Sequence, residues 1–262
     1  METWDSGLAY ERYVGRWSRM VAQEFLRWLA LPHGLAWADI GCGTGALSST
    51  ILAVYDPVMV RGVDASEGFL SQAIKNIHDP RAGFEIGHAV SLPLESGAFD
   101  AAISGLMLNF VSDPLAAARE MTRVTKPGGC VAAYVWDYSA GMQMMRTFWD
   151  TAIAVDPDSA ALDQAERFPL CSPGPLQDLL ISAGLQYVAV RAIDIPTVFQ
   201  DFDDLWNPLL ERTGSAPAYL AGVSAEVRER IRQELQERLT PDADGRIALS
   251  ARAWAVKGVV AA

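Results

Sequence analysis

Apolar residues recur at helical spacing from Gly15 to Leu31, at Trp17, Val21, Phe25, Trp28 and Leu29, until "LPHG" interrupts them. The spacing predicts an amphipathic helix. Beyond it, strand-like and helix-like stretches alternate: "GLAWADI" as strand, "GALSSTILAV" as helix, "VMVRGVD" as strand, and "SEGFLSQAIKNI" as a helix that Ser66 can cap. A strand around "GFEIGH", a turn-rich "SLPLESGA" and a strand "FDAAIS" follow. Asp113 and Pro114 can then cap and open the helix "PLAAAREMTRV", whose Leu115, Ala118, Met121 and Val124 share a face. "KPGG" breaks that helix and feeds the strand "CVAAYVW". Such alternation predicts an α/β fold, a mostly parallel sheet with helices on both faces.

After Trp136 the rhythm changes. Residues 139 to 170 hold a Met-rich helical stretch and an acidic one, and "SPGPLQDLLISAGL" reads as a helix capped by Ser172 and ended by Gly184. Two long β-like runs, "LQYVAVRAIDIPTVF" and "IALSARAWAVKG", are separated by about 45 residues of helical pattern. These predict one domain over residues 1–262: a helical lid at 1–34, a binding core at 35–137, and helical insertions at 138–184 and 200–245 on the substrate side.

The 262 residues are half hydrophobic, enough for one large core. Lys and Arg number 21 against 32 Asp and Glu, a net charge of −11 that repels a phosphate backbone, and no basic cluster offsets it. Nucleic acid is therefore not an expected partner. The charges in "AEVRERIRQELQERLT" alternate in sign at helical spacing, as on a solvated face. Cys42, Cys130 and Cys171 are widely spaced and odd in number, with no histidine at metal-ligand spacing, so neither a disulfide framework nor a metal site is expected. His33 and His78 lie in turns. No apolar run reaches the roughly 18 residues of a membrane span, and "METWDSG" lacks the basic and apolar parts of a signal peptide. The expectation is a cytoplasmic protein with no membrane insertion.

The stretch "LAWADIGCGTGAL" places Gly41, Gly43 and Gly45 between a predicted strand and helix. Such a turn lets a ligand approach bare backbone, and the helix N-terminus offers N–H groups to an anion. Read as G-x-G-x-x-A, with Asp64 about 20 residues beyond, it also fits a dinucleotide fingerprint and an NAD-dependent oxidoreductase. Asp39 opposes that reading, because a carboxylate ~4 Å from a pyrophosphate costs about 4 kcal/mol at an effective dielectric of ~20. A cationic ligand reverses the sign. S-adenosylmethionine carries an ammonium and a sulfonium, a carboxylate for helix N–H groups and a ribose for Asp64.

"ADIGCGTG", "GVDASEGFL", "FDAAIS" and "TKPGG" stand in the order and spacing of the motifs of class I S-adenosylmethionine-dependent methyltransferases, which this chain resembles over residues 35–137. The likeness is greatest to the small-molecule branch that includes ubiquinone and menaquinone biosynthesis methyltransferases. It implies a Rossmann-like sheet of seven strands with the last antiparallel. It further implies that Asp39, Gly41, Gly43 and Gly45 hold the amino acid end of S-adenosyl-L-methionine and Asp64 its ribose. Ala65 and Phe69 would flank the adenine, and Ser104 joins the cofactor set. Where the family commonly has Asp-Ala after the third strand, this chain has His88-Ala89. A neutral imidazole there can accept from the adenine amino group, or His88 can cap the strand and face solvent.

The N-terminal "AYERYVGRWSRM" is either a helix covering the sheet edge or, by resemblance, a lid that brings Tyr10, Tyr13, Arg16 and Trp17 to the site. By that lid reading Arg16 and Trp17 join the cofactor set, and Arg16 could pair with a carboxylate of cofactor or substrate. Trp136, Met142, Met145, Phe148 and Trp149 follow the fifth strand, outside whose C-terminal end ligands of open α/β sheets bind. They read either as acceptor pocket or as packing, and Asn109 carries the same two readings. A general base is not required for every methyl transfer; Asp137 and Tyr138 are the nearest candidates by position. The resulting expectation is methyl transfer from S-adenosylmethionine to a small, largely apolar or aromatic acceptor. The rivals are a nicotinamide oxidoreductase and a non-catalytic S-adenosylmethionine-binding protein.

Overall fold

In the computed structural model, which describes residues 11–211 and 214–262 and only the backbone of Glu11 and Arg12, a helical turn at Glu11–Gly15 leads into helix α1 (Arg16–Leu29). Strand β1 (Ala36–Ile40) follows, buried at all five positions, as a strand covered on both faces must be. Then come α2 (Ala46–Val54), β2 (Met59–Asp64), α3 (Glu67–Asn76), β3 (Ala82–Ile86), β4 (Phe99–Gly105), α4 (Pro114–Val124) and β5 (Thr125–Trp136). The remainder holds α5 (Gln143–Val155), α6 (Pro173–Ser182), β6 (Gln186–Phe199), α7 (Ser215–Gly222), α8 (Ala225–Arg238) and β7 (Ile247–Val259).

The strands form one seven-stranded sheet in the order β3-β2-β1-β4-β5-β7-β6. β1 pairs in parallel with β2 (Ala36 opposite Met59) and with β4 (Trp37 opposite Ala101), and β4 pairs in parallel with β5. β7 runs the other way: Gly128 donates to the Val260 carbonyl at one end of β5, while Asp137 donates to that of Arg252 at the other. The sheet is thus mostly parallel with its last strand antiparallel, as expected.

Two of the three N-caps read from the sequence are formed, whereas Ser172 stands at the N-cap position of α6 in extended backbone without its side chain accepting a first-turn N–H. Ser66 Oγ accepts the Phe69 N–H at 3.3 Å, and Asp113 Oδ1 accepts the Ala116 N–H at 2.9 Å beside Pro114 in the first turn. At the other end of α1, the Lys257 ammonium lies 3.2 Å from the Trp28 carbonyl and 3.4 Å from that of Leu29, where unpaired carbonyls attract a cation. One local expectation needs amendment. "KPGG" does not separate α4 from the strand but lies inside β5, whose register on β4 jumps from Thr125 opposite Phe99 to Cys130 opposite Ala101. Pro127 has no N–H for a ladder and Gly128 sits at φ +77°, so the strand bulges there.

By its contacts the chain divides into two compact units. The first comprises Ser18–Val135, Leu170–Ile193 and Trp254–Ala262. Its core joins Ile40, Val63, Ala102 and Val131 of the sheet to Met121 of α4 and Leu176 of α6. The second comprises Met1–Trp17, Trp136–Pro169 and Asp194–Ala253. Here the Phe148 and Trp149 rings of α5 pack edge-on at 5.2 Å, and Tyr219 of α7 lies 5.8 Å from Trp149. Trp149 Nε1 donates to Gln164 at 2.9 Å, so its one polar atom is satisfied inside. Among the described residues no helix is long and apolar enough to cross a membrane.

Met121, 1% exposed, is a direct probe of the first core. Met121→Ala removes buried thioether and methylene groups and should cost about 2–5 kcal/mol, read as a lower urea midpoint with an unchanged slope. A loss below about 1 kcal/mol would mean that α4 is not packed as described.

Candidate functional site

The end of β1 and the turn after it carry the densest chemistry in the first unit. Gly41, Gly43 and Gly45 all take left-handed backbone, at φ +71°, +54° and +86°. The N–H groups of Gly41 and Cys42 donate to the Val63 carbonyl at 2.8 and 3.1 Å, tying the turn to the end of β2. A Cβ on Gly41 would lie 2.4 Å from Met107 Cγ, and one on Gly45 would lie 2.6 Å from Ile77 Cδ1. Gly43 differs, since a Cβ there meets nothing within 4 Å. Two glycines let the turn pack; the third borders open space.

Asp39 is fully buried in β1. Its Oδ2 accepts from Ser48 Oγ at 2.6 Å, and its Oδ1, also buried, has no hydrogen-bond partner among the described residues. Desolvation lifts its pKa from 3.8 to about 7; the Ser48 bonds work against that rise, and the nearby Asp64 adds to it. Asp64, at the end of β2, accepts the Gly43 N–H on Oδ2 and the Ser66 N–H on Oδ1, each at 2.9 Å. Burial raises its pKa too, against the pull of those N–H groups. Each Asp64 oxygen keeps a further lone pair for a ligand hydroxyl. Burial, together with the charges of Asp39 and Asp64, pushes the Cys42 thiol well up, so it stays protonated and is not a nucleophile.

Other predicted residues lie around this turn in varied states. Ala65 is exposed and Phe69 half-buried. His88 is exposed, and its carbonyl accepts the Ser91 N–H at 2.9 Å in a tight turn, with Ala89 half-buried beside it. Ser104 is fully buried, and its Oγ has no partner among the described residues. Asn109, just beyond β4, donates from Nδ2 to Cys171 Sγ at 3.3 Å while its Oδ1 is buried and unpartnered among the described residues. Burial of that oxygen and of Ser104 Oγ costs free energy unless a ligand bonds them.

In the second unit, Arg16 donates through Nη1 to Asp204 Oδ1 at 2.8 Å, and its guanidinium lies 4.7 Å from both the Trp17 and Phe199 ring centres. Tyr13 is buried and donates to Met145 Sδ at 2.8 Å. Tyr10 lies outside the described residues. Met142, Met145, Phe148 and Trp149 are all buried. Phe148 and Trp149 are engaged with each other and with Tyr219 and Gln164, which is packing; Trp136 is buried with its indole N–H unpartnered among the described residues. Asp137 Oδ1 accepts from Ser139 Oγ at 2.6 Å and from the Ala140 N–H at 3.1 Å, so that oxygen organises its own turn. Tyr138 is buried against Phe168, ring centres 5.8 Å apart. Sequence reasoning missed Ser48, Met107 and Asp204. Ser48 stood in the quoted helix two residues past Ala46, but nothing in its spacing announced that it faces Asp39.

The first unit thus offers a cation partner in Asp39, hydroxyl acceptors on Asp64 and open backbone at Gly43. Comparison with known proteins agrees with that chemistry. The family described as "Methyltransferase domain" matches residues 38–133. The 2-methyl-6-phytyl-1,4-hydroquinone methyltransferase of a Synechocystis species is 28% identical over 202 residues, 76% of this chain and 62% of its own length. The demethylmenaquinone methyltransferase of a Roseiflexus species is 32% identical over 183 residues, 64% of this chain and 75% of its own. The chain therefore spans a little under two thirds of the first relative and three quarters of the second. In three dimensions it is similar to phosphoethanolamine N-methyltransferase 2 of Haemonchus contortus, solved with S-adenosylhomocysteine. The TM-score is 0.62 at 18% identity, covering 98% of this chain and 57% of that one, a likeness of fold.

The raised pKa of Asp39 fixes the sign of a pH effect. In the unfolded chain this group ionises near 3.8; in the fold it holds its proton up to about 7, so across that window the folded state binds more protons. Its stabilising share is complete below the lower value and is lost as pH rises to the upper. Asp39→Asn should therefore make the ligand-free protein more stable than the parent at pH 8, with the gap closing towards pH 4.5. Urea unfolding at the two pH values measures it, and a gap that widens on acidification would refute the assignment.

Proposed function

Because the chain belongs to the class I S-adenosylmethionine-dependent methyltransferases, we propose that it passes the cofactor's methyl group to a small, largely apolar or aromatic acceptor of the hydroquinone kind. The observation that carries the acceptor class is the 32% identity to a demethylmenaquinone methyltransferase across three quarters of that protein. The hydroquinone methyltransferase of Synechocystis supports the same class.

S-adenosylmethionine, when bound, supplies a methyl group activated by a positively charged sulfur, and its other end carries an ammonium. Asp39, whose Oδ1 has no partner among the described residues, would hold that ammonium as its counter-charge. Asp64 would accept from the ribose hydroxyls with the lone pairs left over from Gly43 and Ser66. The open side of Gly43 lets backbone approach closely. Ala65, Phe69, Ser104, His88 and Ala89 remain candidates for the adenine side. On the acceptor side the candidates are Arg16, Trp17 and Trp136, each with a buried polar atom unpartnered among the described residues. Alignment of the acceptor atom, worth up to about 7–11 kcal/mol, supplies most of the rate. Asp137, whose Oδ1 is committed to its turn, is a weaker general base for it than its position suggests. The three cysteines are free and buried, which supports a reducing, cytoplasmic setting. The net charge of −11 supports a small-molecule acceptor over nucleic acid.

Incubation with methyl-labelled cofactor, a set of hydroquinones and a metabolite extract, followed by mass spectrometry, tests the proposal. Label should appear on an apolar aromatic compound; transfer to a highly charged acceptor would overturn it. On the cofactor side, Asp64→Ala removes a charged hydrogen-bond acceptor worth about 1.5–3 kcal/mol. S-adenosylhomocysteine affinity should fall by roughly tenfold to more than a hundredfold in calorimetry. Parent-like affinity in that variant would remove Asp64 from the site.

A further inference from the structure

In the second unit, Arg16 and Trp17 meet the Phe199 ring, and Thr197 lies on the same face of β6 as Phe199. Arg16 Nε, Trp17 Nε1 and Thr197 Oγ1 each have no hydrogen-bond partner among the described residues. The Trp17 ring meets Phe199 edge-on at 5.7 Å, and the Arg16 guanidinium lies 4.7 Å from the same ring. Thr197 precedes Phe199 by two residues in β6, where Ile195, Thr197 and Phe199 are buried and the residues between them exposed, so all three side chains share one face. Thr197 is 3% exposed, too enclosed for bulk water to satisfy its hydroxyl. Three unmet groups on residues that meet or flank Phe199 each cost free energy while unpaired.

Their chemistry narrows the ligand. Arg16 Nε and Trp17 Nε1 only donate, so an ammonium or another donor-only group does not fit; Thr197 can donate or accept. The charge of Arg16 is already met by Asp204, at 2.8 Å from Nη1, with the Asp204 carbonyl 3.5 Å from Nη2. Asp201 caps the short helix Phe202–Trp206 beside it through the Asp204 N–H, and Asp203 in that helix pairs with Arg232 at 3.3 Å. The neighbourhood thus carries at least as much negative as positive charge and disfavours an anion. We propose that Arg16 Nε, Trp17 Nε1 and Thr197 Oγ1 form a subsite for one neutral oxygen, a phenol-type hydroxyl or a ring carbonyl, on a flat apolar ligand. The subsite deepens the acceptor reading above and rests on it for its role in the reaction. Arg16 and Trp17 then act on the acceptor rather than on the cofactor.

Binding, rather than turnover, tests it. With S-adenosylhomocysteine present, calorimetry compares 2-naphthol, naphthalene and 2-naphthoate on the full chain. The parent should bind 2-naphthol more tightly than either of the others. Trp17→Phe and Thr197→Val keep ring and bulk but delete one polar group each, and each should weaken 2-naphthol by about two- to tenfold while leaving naphthalene unchanged. Preference for 2-naphthoate, equal losses for all three probes, no loss in either variant, or no binding of 2-naphthol would overturn the proposal. A thermal melt of each variant with S-adenosylhomocysteine confirms that it is folded. If the labelling experiment found no methylated hydroquinone, the functional reading would fail while this binding signature stood.

Discussion

A carboxylate buried in a central strand with one oxygen bonded and the other bare is the constraint on which the cofactor unit depends. Asp39 cannot move to water, because β1 is paired on both sides, to β2 and to β4, and is buried along its whole length. Ser48 satisfies one oxygen and no described residue satisfies the other. Leaving such a group in the interior costs several kcal/mol when charged, and the rise of its pKa to about 7 expresses that cost. A ligand that brings a positive charge to Oδ1 removes it. A buried, half-satisfied carboxylate of this kind favours a cationic partner.

The glycines around that carboxylate serve unlike purposes. Gly41 makes room for Met107 and Gly45 for Ile77, so these two couple the turn to its surroundings. Gly43 makes room for nothing in the protein, and its N–H instead steers Asp64. A single backbone bond thereby joins the turn after β1 to the acid ending β2, and the two acids are positioned together. Their nearness has a cost, since the charge of Asp64 adds to the reluctance of Asp39 to ionise.

Most of the fold was legible because apolar spacing reports burial. The five strands and four helices of the cofactor unit through Trp136 follow the pattern, including the caps at Ser66 and Asp113. "KPGG" misled locally, because a break in helical spacing does not say whether a turn or a bulged strand follows. The acids of the site were legible because a carboxylate beside a glycine turn is chemically conspicuous. Its state was not: the charge-repulsion argument against a pyrophosphate assumed an ionised Asp39, whereas burial holds that carboxyl part-protonated near neutrality. The Met and aromatic stripe of α5 was ambiguous for a physical reason, since a pocket wall and a core use the same residues. The Phe148, Trp149, Tyr219 and Gln164 contacts place that part of the stripe in packing. Asp204 lies 188 residues from Arg16 and Thr197 lies 180 from Trp17, beyond any local pattern.

The central claim, that Asp39 is the cofactor's counter-charge, is tested most directly by proton release on binding. Titration of S-adenosylhomocysteine at pH 6.5, in buffers of different ionisation enthalpy, counts protons. The free site holds Asp39 largely protonated there, and an ammonium against Oδ1 must ionise it. The account predicts that the parent releases a substantial fraction of one proton per ligand bound, and that Asp39→Asn binds more weakly and releases none. Tight binding by the parent with no proton exchange at pH 6.5, or an Asp39→Asn variant that releases as many protons as the parent, would contradict it.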